Sequence, residues 1–365
     1  MRTLRTLVVD DSAYNRRVIG DLLSEIDGVE VVGKATDGDE ALRAVEELSP
    51  DFITLDLEMP RMDGFTFLRL LMARKPLPVI VVSGYSAKEN VFRALELGAI
   101  DFVAKPSRSV TSDLVGIAEQ LKEKVEMVRQ LTPASLDPTR TSLRSGRTAT
   151  AMFQLPGARG DEAASRARAK PTPQHVVVVG ASTGGPTALL EMFNRFPSSA
   201  PAALIVAQHM PERFTRTFAE RLDRLGSLTV REATHNALIG TGEGWICPGG
   251  QCVEIVRSSD GPVMKVVSPR AEDRYVPSVD RLFETAAKAY GSRVIAVVLT
   301  GMGDDGARGA AAVHAAGGMV LAEAPETAVI YGMPGAAVRT GAVERSLPLR
   351  ALAEHVATLV TKGQT

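Results

Sequence analysis

Short β-branched runs alternate with amphipathic stretches along the first third of the chain. Thr6–Val9, Val29–Val32, Phe52–Leu55, Val79–Val82 and Asp101–Ala104 carry the strand signal. Ala13–Leu23, Glu40–Leu48, Phe65–Ala73 and Asn90–Leu97 place their apolar residues at helical spacing. Five strands separated by helices predict a doubly wound parallel sheet, closed by a last helix from about Asp113 to Leu131. From about Thr132 to Gln174 the pattern stops, and Pro, Thr, Ser, Ala, Gly and Arg replace the large apolar residues. Such a stretch buries too little surface to offset chain entropy and predicts a flexible linker. The alternation resumes near His175. Val176–Val179, Ala203–Ala207 and Val294–Leu299 have the composition of buried strands, each followed by a polar or Gly-rich turn and a helix. Trp245–Val267 has a hairpin-like pattern that interrupts them.

Composition narrows the picture. A length of 365 residues fits two ordinary domains, and 45% hydrophobic with 23% charged residues lets each bury a core. The net charge of -1 argues against a chain-wide basic surface for nucleic acid. The linker's Arg140, Arg144, Arg147, Arg159, Arg166, Arg168 and Lys170 are expected to keep it solvated. No apolar run approaches the ~18 residues of a membrane span. The N-terminus runs straight into a strand without a signal-peptide layout. Cys247 and Cys252 cannot make a disulfide framework, and no cluster around them has zinc spacing. A soluble protein of a reducing compartment is the expectation.

Candidate chemistry gathers at strand ends. Asp10 and Asp11 follow the first strand, Asp56 the third, Ser83 the fourth and Lys105 the fifth, all on the edge where such sheets bind ligands. Carboxylates crowded into one cleft call for a hard divalent cation with oxygen ligands, for which Mg²⁺ is the natural choice. A cation, a lysine and a hydroxyl around one carboxylate make sense if that carboxylate accepts a phosphoryl group. As a lone pair, Asp10-Asp11 would instead cap the helix near Ala13.

In the second half, Gly180-Ala-Ser182-Thr-Gly-Gly185-Pro186 turns from a strand into a helix. A serine at that corner suits a nucleophile whose product passes through an oxyanion, and the same turn could equally cradle a phosphate. A nucleophile needs a base. Of the five histidines only His209 comes directly off a strand. The base needs a carboxylate, and Thr300-Gly-Met-Gly-Asp304-Asp305-Gly306 offers two at a third strand end. Position alone does not separate Asp304 from Asp305.

Residues 1–131 resemble a two-component receiver domain in Val8-Val9-Asp10-Asp11-Ser12, Asp56-Leu-Glu-Met-Pro60, Asp63-Gly64, Ser83-Gly84 and Lys105-Pro106. The resemblance implies a flavodoxin-like fold and phosphorylation on Asp56. It also implies Mg²⁺ held by Asp11, Asp56 and the Glu58 carbonyl, with Asp10 acting through water. Ser83 and Lys105 take switch positions, Phe102 stands where Tyr is frequent, and a cis Lys105–Pro106 bond is expected. The second domain, residues 175–365, resembles the chemotaxis protein-glutamate methylesterase family over residues 175 to about 345. The likeness rests on Gly180–Pro186, Gln208-His209-Met-Pro211, Pro248-Gly-Gly250, Pro277-Ser-Val-Asp280, Thr300–Gly306 and Gly332-Met-Pro334. It implies a Rossmann-like parallel-sheet hydrolase domain with a β-hairpin insertion, without a cofactor. Ser182 would be its nucleophile, His209 its base and Asp305 the orienting carboxylate, with Thr183 and the Met302 N–H on the oxyanion side. Ala322-Glu-Ala-Pro-Glu326 departs from the family, whose members often carry Gln early in that segment.

The implied protein is a cytoplasmic, phosphorylation-activated enzyme of chemotaxis adaptation. It demethylates glutamate methyl esters, deamidates glutamines on chemoreceptors, and takes phosphate from a chemotaxis histidine kinase. No nucleic acid and no membrane insertion are implied. A receiver-controlled nucleotide-binding module is one alternative, but the P-loop lysine and the G-x-G-x-x-G spacing are missing. A DNA-binding output is another, with neither a helix-turn-helix pattern nor a basic stripe to support it.

Overall fold

The computed structural model describes residues 2–84, 88–105, 111–131, 171–259 and 261–361. Most of the expected linker, residues 132–170, lies outside them, as does Pro106 with its expected cis bond.

The first unit alternates strand and helix throughout. It comprises β1 (Leu4–Val9), α1 (Ala13–Ser24), β2 (Val29–Ala35), α2 (Gly38–Leu48), β3 (Phe52–Leu55), α3 (Gly64–Arg74), β4 (Val79–Ser83), α4 (Lys88–Glu96), β5 (Asp101–Ala104) and α5 (Thr111–Gln130). The strands pair in parallel in the order β2-β1-β3-β4-β5. β3 and β4 are buried on both faces, as a sheet covered by helices on each side requires. The cap of α1 is Ser12, whose Oγ accepts from Asn15 N–H. Asp10 Oδ1 instead accepts the Ser12 N–H at 2.9 Å, so the acidic pair is not spent on capping.

The second unit comprises β6 (His175–Ala181), α6 (Gly185–Arg195), β7 (Ala202–Gln208), α7 (Glu212–Leu225), β8 (Thr229–Glu232), β9 (Ala237–Leu238), β10 (Glu243–Ile246), β11 (Cys252–Ser258), β12 (Gly261–Val267), α8 (Val279–Tyr290), β13 (Val294–Val298), α9 (Ala307–Ala315), β14 (Met319–Glu323), α10 (Met333–Arg339), β15 (Arg345–Leu347) and α11 (Leu349–Thr361). Its seven-stranded sheet runs β15-β14-β13-β6-β7-β10-β8, parallel throughout. The chain leaves β6 to one side through β7 and returns to the other through β13, so the ends of these three strands border the crevice where the winding direction reverses.

The expected hairpin Trp245–Val267 needs correction. Trp245 belongs to β10, a strand of the parallel sheet in register with Ile205 and Arg231. The hairpin proper starts at Cys252, pairing β11 with β12 antiparallel, and β9 adds a third strand. β10 is only four residues long, too short for its apolar pattern to separate it from the hairpin.

The two units pack directly on each other. The Phe92 ring of α4 stacks on Phe218 of α7 with centroids 5.2 Å apart, and Phe102 of β5 meets Phe214 at 4.5 Å. Arg221 pairs with Glu96 at 2.6 Å and Arg224 with Glu89 at 3.0 Å around these rings. Val329, Ile330 and the partly buried Met302 join the apolar cluster that contains Ile100 and Ile117 of the first unit. No helix among the described residues is long and apolar enough to cross a membrane.

Candidate active site

The acidic cleft of the first unit lies at the switch point between β1 and β3. Asp10 and Asp56 directly follow these strands, and carboxylate oxygens of Asp10, Asp11 and Asp56 all lie within 4.8 Å of one another. Asp10 and Asp56 are buried and Asp11 is exposed. Lys105 Nζ reaches Asp56 Oδ2 at 2.5 Å and Asp10 Oδ2 at 2.9 Å. Burial raises the Asp56 carboxyl above its ordinary range, against the pull of Lys105. Burial works to lower Lys105, but its bonds to Asp56 and Asp10 outweigh that and hold the ammonium above its ordinary value. One lysine against three carboxylates leaves negative charge and hard oxygen donors in a single cleft, a set that fits Mg²⁺. Glu58 donates its N–H to Asp56 Oδ1 at 3.3 Å. Ser83 is buried at the end of β4, and its carbonyl accepts the Lys105 N–H. Phe102 turns to the domain interface.

In the second unit the strand register assembles the site. Ala181 of β6 is opposite Gln208 of β7, so the next residue on each strand is Ser182 and His209. On the other side of β6, Gly180 is opposite Val298, which brings the Thr300–Gly306 turn to the same edge. Ser182 N–H donates to Thr300 O at 3.0 Å, and His209 N–H to Ala181 O at 3.0 Å. Gly301 lies so close that a Cβ there would sit 2.8 Å from Ser182 Cβ and 2.3 Å from Met333 Sδ. A side chain at 301 would displace the serine.

His209 Nε2 lies 2.9 Å from Asp305 Oδ2. Asp305 is buried and accepts two further bonds, from Val279 N–H at 2.8 Å and Asp280 N–H at 2.9 Å. A carboxylate only accepts, so a hydrogen bond at this contact would be donated by Nε2–H and would leave Nδ1 with the lone pair. Asp304 points elsewhere: it is exposed and accepts the Tyr275 hydroxyl at 3.2 Å. The structure therefore separates the two aspartates that sequence position left equivalent.

Residues 177–356 match the family described as CheB methylesterase, and residues 6–115 the response regulator receiver domain. A protein-glutamate methylesterase/protein-glutamine glutaminase of Geobacter sulfurreducens is 45% identical over 98% of this chain and 97% of its own length. The chain belongs to the CheB methylesterase family. A relative of the same description from Pyrococcus abyssi is 36% identical over 97% of this chain and 93% of its own length. The solved catalytic domain of the Thermotoga maritima CheB methylesterase superposes with a TM-score of 0.50 at 37% identity, covering 51% of this chain and 98% of that one. This methylesterase thus carries its receiver in the same chain, and the nucleotide-cradle and DNA-binding alternatives give way.

Two site neighbours escape sequence reasoning. Gln208 is buried, and its Nε2 donates to both Ser182 O at 2.9 Å and His209 O at 3.0 Å, tying the two strand ends together. Gln208 stands in the motif Gln208-His209-Met-Pro211, which did not announce this bridge. Asp101, at the start of β5, accepts the Thr183 hydroxyl at 2.6 Å across the domain boundary. Nothing in the local sequence announces that contact. The Met302 N–H, by contrast, donates to no group among the described residues.

Proposed function

We propose that Ser182, His209 and Asp305 form a catalytic triad that hydrolyses glutamate methyl esters on the cytoplasmic parts of chemoreceptors, releasing methanol. The observation that carries this reading is the 2.9 Å contact of His209 Nε2 with a buried, triply hydrogen-bonded Asp305, beside a serine placed by strand register. With Nε2–H held by Asp305, Nδ1 is the nitrogen left to take the Ser182 proton. Ser182 Oγ attacks the ester Cδ, and the negative charge moves to the carbonyl oxygen. The Met302 N–H and the Thr183 hydroxyl, once released from Asp101, are the donors for that oxyanion. Collapse expels methoxide, which takes the proton from His209 and leaves as methanol. Water then adds to the acyl-enzyme with His209 again as base, returning the serine and a free carboxylate. A glutamine side chain follows the same course with ammonia as leaving group.

The receiver supplies control. Asp56 is the phosphoryl acceptor, served by a chemotaxis histidine kinase in the cytoplasm. Asp11, Asp56 and the Glu58 carbonyl would hold Mg²⁺, with Asp10 through water, and the ion would neutralise phosphoryl oxygens. Lys105 adds a fixed positive charge, Ser83 a hydroxyl for a phosphoryl oxygen, and Phe102 a ring that reports the change to the interface. Phosphorylation can activate only by stabilising the closed and open domain arrangements differently. Methanol release from methylated receptor membranes, with and without a small phosphodonor and Mg²⁺, tests the whole reading. Release that rises with the phosphodonor is expected, and a full chain that releases none under either condition overturns it.

A further inference from the structure

We propose that Tyr275 is a positioning residue for His209, its ring fixing the plane of the imidazole. The inference rests on the triad reading above and adds a member to that site. The two rings lie parallel to within 4° with centroids 5.2 Å apart, the geometry of an offset stack. Asp305 alone cannot set the ring plane, because a single hydrogen bond at Nε2 leaves the imidazole free to swing about that contact. A flat neighbour on one face removes this freedom and so fixes the direction in which Nδ1 points. When His209 becomes an imidazolium during turnover, the electron-rich face of the phenol also lies against the new positive charge.

The ring is itself held at several points. The Tyr275 hydroxyl donates to Asp304 Oδ1 at 3.2 Å. The Arg274 guanidinium sits 5.2 Å from the ring centroid and 3.7 Å from Asp304. Arg281, buried at the start of α8, anchors the loop that carries it. Its Nη1 donates to Asp273 Oδ2 at 2.7 Å and Ser268 O at 3.3 Å, and its Nε to Glu254 Oε1 at 2.7 Å. The opposite turn makes room: Gly303 has φ +90°, and a Cβ there would lie 2.4 Å from the phenol oxygen. Two loops distant in sequence are thus shaped around one aromatic ring over the base.

The test measures kcat and KM for methanol release from methylated receptor membranes, using full chains with the phosphodonor present. It is paired with NMR of the His209 ring protons. Tyr275→Phe keeps the stack and should hold kcat within about twofold, whereas Tyr275→Leu should lower kcat about tenfold with KM little changed. The His209 ring protons should be shifted upfield in the wild type and the Phe variant, and lose that shift in the Leu variant. Tyr275→Ala serves as a second aliphatic variant, with melting temperatures confirming that both fold. Wild-type kcat in either aliphatic variant overturns the proposal. So does an effect confined to KM, which would make Tyr275 a substrate contact. A Phe variant as slow as the Leu variant overturns it too, by moving the role to the hydroxyl. A wild-type chain without activity would instead sink the esterase reading itself.

Discussion

The Thr183 hydroxyl donates a 2.6 Å hydrogen bond to Asp101 Oδ2, so a residue next to the candidate nucleophile is bonded to the first residue of a receiver strand. The same carboxylate oxygen receives Lys124 Nζ at 3.1 Å. Burial works to lower Lys124, but Asp101 and Glu123 outweigh it and push its pKa up to about 12. Asp101 is therefore bonded both to Thr183 and to a lysine of its own unit. Its chain neighbour Phe102 packs on Phe214, in the helix that follows His209. The receiver thus occupies a hydroxyl next to the candidate nucleophile.

That contact gives the first prediction. A hydrogen bond to a charged group contributes about 1.5–3 kcal/mol, so removing it should favour opening by about tenfold or more. Asp101→Ala should raise basal methanol release of the unphosphorylated chain and shrink the further gain from a phosphodonor. Unchanged basal release would show that the Thr183 bond plays no part in closure.

Ser182→Ala and His209→Ala should each lower the rate by about 10³-fold or more. The double variant should be hardly worse than either, because nucleophile and base act as a unit. Steady-state methanol release checks this, and additive losses would contradict a shared step.

The adjacent aspartates should behave differently. Asp305→Asn replaces an acceptor that takes three hydrogen bonds and should cost orders of magnitude in rate by disturbing the His209 tautomer. Asp304→Asn keeps an oxygen for the Tyr275 hydroxyl and should change the rate little. The reverse ranking would mean that the wrong carboxylate has been assigned to His209.

Asp56 gives a prediction for pH. Its folded-state pKa is raised, chiefly by burial. A raised pKa contributes stability that is fully present below the unfolded value and is lost as pH rises through the folded one. At neutral pH the ionised Asp56 therefore carries a cost that a neutral isostere escapes. Asp56→Asn should raise the melting temperature at pH 7, and the gain should fade as the pH drops into the carboxylate range. Added Mg²⁺ should stabilise the wild type more than the variant. Thermal melts across pH, with and without Mg²⁺, decide the matter.

The sequence by itself determined the alternating α/β order and marked the candidate chemistry at the strand ends. β-branched runs broken by Asp, Ser, Gly and His mark where each strand stops, and parallel sheets bind ligands at those stops. Ser182, His209, Asp56 and Lys105 were all singled out as candidates in this way. Composition also separated the two units at the point where large apolar residues disappear. Only the tertiary structure decided the rest. That His209 meets Asp305 and not Asp304, which strand position left open, goes with N–H groups of Val279 and Asp280, more than twenty residues away, that hold one carboxylate while the other stays in solvent. The placement of Trp245 depends on which strands pair. The stack of Tyr275 on His209, the bridging amide of Gln208 and the bond from Thr183 to Asp101 all join segments that share no local pattern. Periodicity and turn chemistry report what neighbouring residues do to the backbone, whereas these contacts are fixed by sheet register and by one domain packing on the other.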